Sequence, residues 1–121
     1  MSPQSPESQQ PQEPALSPED AKLVTLARAT RARAQAAQGA AVRDLDGRTY
    51  AAASLDLEAL RLSALQGCIA MAVSSAARGV AAAVVLADAS ELGEADRAVL
   101  EEFAGPDVVV HLGDARGTIL A

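Results

Sequence analysis

Gly39-Ala-Ala-Val-Arg-Asp-Leu-Asp-Gly-Arg-Thr-Tyr-Ala-Ala-Ala53 is the stretch that decides the architecture of this chain. Ala40 to Arg43 and Arg48 to Ala53 flank Asp44-Leu45-Asp46-Gly47. An Asp-Gly pair favours a tight turn, because glycine takes a positive φ without a side-chain penalty. The stretch therefore predicts a β-hairpin. It does not predict a calcium loop, since two aspartates fall short of the ligand count such a site needs.

Working outward, Val80 to Ala87 is the longest apolar run. It reads as a strand buried on both faces at the centre of a sheet, and it is too short to cross a bilayer as a helix. Between hairpin and strand, residues 56 to 77 are mostly good helix formers. Leu57, Leu60, Ala64, Cys68, Met71 and Ser75 recur at three and four, with Leu65, Ile69 and Ala72 beside them. That broad apolar face predicts a helix on the sheet, with room for another subunit on its far side. Gly67 in its middle costs about 1 kcal/mol relative to alanine, which close packing would offset.

Upstream, Ser17 is a helix cap, Pro18 suits the first turn, and Glu19 and Asp20 suit the positive helix end. Asp20 completes a capping box with a shorter acid than usual. Leu23, Leu26, Ala27, Thr30 and Ala34 form the inward stripe, Arg28, Arg31 and Arg33 a solvated face, and Gly39 the stop. Downstream, Asp88-Ala-Ser90 predicts a turn, and a helix follows from Gly93 to Phe103. Gly105-Pro106-Asp107 punctuates the chain before a strand at Val108 to His111. Asp114-Ala-Arg-Gly117 then turns into a last strand, Thr118 to Ala121. The order α-β-β-α-β-α-β-β predicts a layered α/β domain with a mixed sheet.

The chain has 121 residues, which suits one domain. Five of the six prolines lie between Pro3 and Pro18, among glutamine, serine and glutamate. That composition predicts a disordered tail over residues 1–16 and an ordered domain over 17–121. The same segment lacks the basic and apolar regions of a signal peptide, so a cytoplasmic protein that does not enter a membrane is expected. A net charge of −6 argues against broad nucleic-acid binding, which needs a basic face. One cysteine excludes an intrachain disulfide.

Few residues could carry chemistry. Cys68 falls within an apolar helix without a base nearby in sequence, so it reads as a small buried hydrophobe. His111 ends a strand and reads as an ordinary hydrogen-bonded histidine. Glu101 and Glu102 are adjacent and point apart on a helix, while Asp56, Glu58, Glu94 and Asp96 have no spacing that defines one cleft. Gly113-Asp-Ala-Arg-Gly117 lacks the glycine-rich cradle and lysine of a P-loop.

From Leu26 to Thr118 the pattern resembles the small, homotetrameric type of cytidine deaminase. The resemblance rests on Gly39 to Tyr50, Ala72-Val-Ser74, Arg97-Ala-Val-Leu-Glu-Glu-Phe103, Gly105-Pro106-Asp107 with Val108-Val-Val, and Leu112-Gly-Asp-Ala-Arg-Gly117, in that order. It implies a three-layer cytidine-deaminase-like α/β fold with a mixed β-sheet. The family's Asn-x-Glu substrate element falls on Ser54-Leu55-Asp56. Its Cys-Ala-Glu falls on Leu65-Gln66-Gly67, which turns the metal ligand into an aliphatic side chain and the proton-shuttling acid into glycine. Its Pro-Cys-Gly-x-Cys-Arg falls on Leu92-Gly93-Glu94-Ala95-Asp96-Arg97, which leaves Asp96 as the sole ligand type and retains the arginine. Zinc deamination needs three protein ligands and a separate glutamate. A one-turn register shift toward Cys68 supplies neither the acid nor the Cys-x-x-Cys element.

The resemblance thus implies degenerate ligand positions at Leu65, Gly93 and Asp96, a degenerate catalytic position at Gly67, and no metal or other cofactor. The function expected is a catalytically inactive relative with a structural or partner-binding role, assembled as a homodimer or homotetramer. A second expectation is nucleoside or nucleotide binding without turnover, through Ser54, Asp56 and Arg97. A third is a divergent hydrolase built on Asp96, His111 or Cys68.

Overall fold

In the computed structural model, residues 16–88 and 91–121 are described. Apart from Leu16, the expected tail lies outside the described residues, as does part of the turn at Asp88 to Ser90. The elements run α1 (Pro18–Ala34), β1 (Gly39–Asp44), β2 (Thr49–Ala53), β3 (Leu55–Asp56), β4 (Arg61–Leu62), α2 (Ala64–Ser74), β5 (Val80–Leu86), α3 (Glu94–Phe103) and β6 (Val109–Gly113).

The main sheet has the order β2-β1-β5-β6. β1 is antiparallel to both β2 and β5, and β5 is parallel to β6, so the sheet is mixed. Alternation along the strands divides the core in two. Ala40, Val42, Ala83 and Val85 pack with Leu65, Cys68 and Ile69 of α2 and Leu100 of α3. Ala41, Ala82, Val84 and Leu86 pack on the other side with Leu23, Val24 and Ala27 of α1. Helix, sheet and helix pair make the three-layer α/β fold that the sequence predicts. β5 lies at its centre, as its unbroken apolar run requires.

α1 begins where its capping signal lies. Ser17 is the N-cap, and its Oγ accepts from the Asp20 N–H at 3.0 Å. Two expectations for this helix are corrected. Its inward stripe runs through Leu23, Val24 and Ala27, while Leu26 is exposed. It also ends at Ala34, with Gln35 in the left-handed region, and not at Gly39. Gly39 opens β1 because α1 crosses directly over it: a Cβ there would strike the Ala27 carbonyl oxygen and lie 2.6 Å from Arg31 Cβ.

The hairpin is built on the buried Asp44. Its Oδ1 accepts from the backbone N–H groups of Asp46 and Arg48, each at 2.9 Å, and its Oδ2 accepts from the Tyr50 hydroxyl at 2.9 Å. Gly47 closes the turn at φ 90°, where a side chain would be strained.

The helix expected over residues 56 to 77 is shorter. Leu57 and Leu60 belong to a small β3–β4 hairpin, in which Leu55 pairs with Leu62 and Asp56 with Arg61. Helical spacing of the leucines misled because Ser63 starts the helix afresh with its own cap. The predicted last strand is reduced to one bridge, Ile119 to Gly113. Asp114 holds that return, its Oδ1 accepting from the N–H groups of Arg116 and Thr118 at 3.0 Å each. Among the described residues, no helix is long and apolar enough to cross a membrane.

Burial would raise the Asp44 carboxyl, but the Tyr50 hydroxyl, the two backbone N–H groups and the Arg48 charge outweigh it and hold it below its ordinary 3.8. A carboxyl lowered on folding gives stability that is fully present above the unfolded value and is lost as pH falls through the folded one. Urea denaturation between pH 6 and 2 should therefore show stability falling below about pH 4, with a shallower fall in Asp44→Asn. At neutral pH, Asp44→Ala should cost about 2 kcal/mol through the partners it leaves unpaired.

Candidate functional site

The candidate site lies where the N-termini of α2 and α3 meet beyond the carboxyl ends of the parallel strands β5 and β6. Ser63 is the hinge of the arrangement. Its backbone is extended (φ −68°, ψ 161°), and its Oγ accepts from the Gln66 N–H at 3.0 Å. The Gln66 side chain returns the bond, its Oε1 accepting from the Ser63 N–H at 2.9 Å. This reciprocal capping box satisfies two donors of the helix start. A third, the Ala64 N–H, donates to Gln38 Oε1 at 3.1 Å.

Two further contacts extend the network. The Ser63 hydroxyl donates to Asp96 Oδ1 at 2.6 Å, across from α2 to the first turn of α3. Asp96 is buried, with 8% of its surface exposed. On the other side, Ser54 and Gln38 clasp each other: the Gln38 N–H donates to Ser54 Oγ, and the Ser54 N–H donates to the Gln38 carbonyl, both at 3.0 Å. Gln38, Glu91, Gly93 and Asp96 line a cleft of about 250 Å3, floored by Val85 and Ala87 at the end of β5.

The residues expected to mark a site are distributed as follows. Leu65 is fully buried in the core on the α2 side of the sheet. Gly67 faces β2, where a Cβ would lie 3.0 Å from that of Ala52. Gly93 caps α3 without a side chain to donate or accept. Asp56 is exposed and pairs with Arg61 at 3.2 Å across the small hairpin. Arg97 reaches the Leu92 carbonyl at 3.2 Å and lines a different cavity, of about 390 Å3, between α3 and β6. The structure thus brings Asp96 and Gln38 to one cleft, while Asp56 and Arg97 stand apart.

Cys68 and His111 lie on opposite faces of the sheet. Cys68 is fully buried on the α2 side, its Sγ 3.6 Å from the Tyr50 carbonyl, and desolvation pushes its thiol up to about 12. His111 lies on the α1 side, opposite Val84 in the ladder, with Nε2 2.9 Å from Asp20 Oδ2. Asp20 does not serve as the returning arm of a capping box. Its carboxylate instead pairs with His111 and, at 2.9 Å, with Arg43 of β1. Burial would raise it, but those two partners outweigh burial and hold it below its ordinary value.

Zinc does not fit these groups. Leu65 and Gly93 offer no donor atom, and one oxygen of Asp96 is already committed to Ser63. Among the described residues, no three histidine, cysteine or carboxylate side chains are placed to hold a metal ion.

A family model described as "Cytidine deaminase-like" matches residues 16–117. The chain belongs to the cytidine deaminase-like family. Solved structures agree in fold. Cytidine deaminase from Burkholderia pseudomallei is 21% identical with a TM-score of 0.72, over 83% of this chain and 88% of that one. Cytidine deaminase from Mycobacterium leprae is 19% identical with a TM-score of 0.66, over 83% and 90%. Cytidine deaminase from Mycobacterium tuberculosis is 18% identical with a TM-score of 0.66, over 79% and 85%. No curated protein matches the chain at a significant level. Within the cytidine deaminase-like family this is a divergent member with no metal-binding cluster among its described residues.

The residues that sequence reasoning missed are Ser63, Gln66 and Gln38. Ser63-Ala-Leu-Gln66 is a capping-box signature that marks the true start of α2. Nothing local marks Gln38, whose partner lies 26 residues away.

Two measurements check this description. Cys68 should react with a disulfide reagent roughly 1000-fold or more slower in the native protein than in denaturant, for want of access and thiolate. The natural chain should purify without stoichiometric zinc, whereas Leu65→Cys/Gly93→Cys/Asp96→Cys should take up about one ion per chain if these are the ligand positions.

Proposed function

We propose that the protein is a catalytically silent cytidine-deaminase-like domain whose work is self-association or partner binding, as a homodimer or homotetramer. The observation that carries this reading is the combination of a retained three-layer frame with a site closed by internal hydrogen bonds. Ser63, Gln66 and Gln38 occupy three backbone donors of the α2 terminus, and Ser63 occupies one oxygen of Asp96. An apolar surface supports the association. Leu57 (58% exposed) and Leu60 stand out from the small hairpin, and Met71 and Val73 (53%) from α2, where unpaired side chains of this kind favour burial against another chain. A cytoplasmic location belongs to the same reading and is supported by the free thiol of Cys68, which suits a reducing compartment.

A second reading is retention of a nucleoside without turnover. It is favoured by the cleft at Gln38, Glu91 and Asp96, although its 250 Å3 lies below the usual range for ligand pockets of about 300–1,000 Å3. A hydrolase using Cys68 with His111 is disfavoured by their separation on opposite faces of the sheet.

Purified protein should fail to deaminate cytidine, deoxycytidine or adenosine with or without added zinc. Sedimentation should give a dimer or tetramer whose dissociation constant rises about tenfold or more in Leu57→Lys/Val73→Lys, a weakening of roughly 1.4 kcal/mol. Zinc-dependent turnover would overturn the silent reading, and a monomer at all concentrations would overturn the association. Calorimetric nucleoside binding without turnover would select the second reading.

A further inference from the structure

We propose that the Ser63–Asp96 hydrogen bond is the tie that holds the α2 and α3 termini together in this chain, in place of a metal. The proposal deepens the metal-free reading of the site and rests on it.

The two helix starts meet through Ser63 and Asp96, and these partners are placed for a strong bond. The Ser63 oxygen already accepts from the Gln66 N–H in the capping box, which leaves its hydroxyl hydrogen to donate elsewhere. It goes to a carboxylate oxygen at 2.6 Å. Asp96 is itself nearly buried and lies in the first turn of α3, where a negative side chain meets the positive end of the helix. α3 has no side-chain cap of its own at Gly93. A charge-assisted O–H···O⁻ bond of this length is among the stronger neutral-to-ionised contacts in proteins. The residue in question is also the carboxylate that stands at the last ligand position which the family resemblance implies. The side chain that would otherwise reach for a cation is spent on a neighbouring helix, and with Leu65 and Gly93 inert the position works as a clasp.

Through Ser63 the clasp reaches Gln66, and through Ala64 it reaches Gln38 and Ser54. One hydrogen-bonded line therefore joins α3, α2 and the end of β2. Its consequence is that the exposed face of α2 is presented in a fixed orientation that chelators should not disturb.

The test is a double-mutant cycle on the full chain with Ser63→Gly, which keeps an acceptable N-cap, and Asp96→Ala. Urea denaturation is run with EDTA and again with zinc, and amide hydrogen exchange is followed at the α2 terminus. Each single change should raise the unfolding constant roughly tenfold, and the double change should be close to either single one, a coupling of about tenfold. Asp96→Ala should also speed exchange at Gln66 and Gly67, across the helix pair, while the natural chain is equally stable with EDTA and zinc. Additive effects, or unchanged exchange in α2, would overturn the tie and leave the metal-free reading standing. Zinc that stabilises the natural chain, and is removed by EDTA, would overturn both. Should Asp96→Ala fail to fold, Asp96→Asn keeps an acceptor without the charge: partial coupling then supports the tie, and none overturns it.

Discussion

The first turn of α2 imposes the constraint from which the rest of the site follows. An apolar helix pressed on a sheet must begin with several backbone N–H groups that have no partner within the helix. In α2 no acidic residue stands in the first turn to help. Ser63, Gln66 and Gln38 answer that need, and in doing so they fix where the helix starts, which face it buries and which neighbours it meets. Leu65, Cys68 and Ile69 then fall on the sheet, and Gly67 allows the helix to approach β2 closely. A site that spends its polar groups on its own backbone keeps little for a ligand.

The sheet supplies the second constraint, because it separates the reactive groups that the chain does possess. Cys68 is locked beneath α2 as a protonated thiol. His111 is drawn to the opposite side by Asp20, which also receives Arg43. That cluster joins α1, β1 and β6 at the edge of the α1 layer, and its role is one of holding layers together. Side-chain alternation along β5 and β6 makes the separation unavoidable, since a residue opposite Val84 cannot face α2.

Much of this architecture was legible in the sequence. The Asp-Gly turn, the Ser17 cap and the apolar run of β5 each carry a local signal with one physical meaning, and each lies where that signal puts it. The leucines after Asp56 carried a misleading signal, for Leu57 and Leu60 keep helical spacing while sitting in a two-stranded turn. Composition could not settle that, whereas the cap at Ser63 could. That Leu65 and Gly93, at positions where the resemblance implies ligands, carry no donor side chain was legible in the sequence. What replaces them was not: the Ser63–Asp96 bond spans 33 residues and the Asp20–His111 bond 91, and such pairings depend on the tertiary fold. Family resemblance locates a position. It does not say which neighbour a substituted side chain will find.

The frame of a deaminase, held by hydrogen bonds where its relatives' pattern calls for ligands, is the central claim. It is tested most directly by a crystal structure of the full chain grown with excess zinc, with anomalous data collected at the zinc edge. The account predicts no anomalous peak between the α2 and α3 termini, and Ser63 Oγ within hydrogen-bond distance of Asp96. A peak coordinated by Asp96 at that position, with Ser63 displaced, would contradict it.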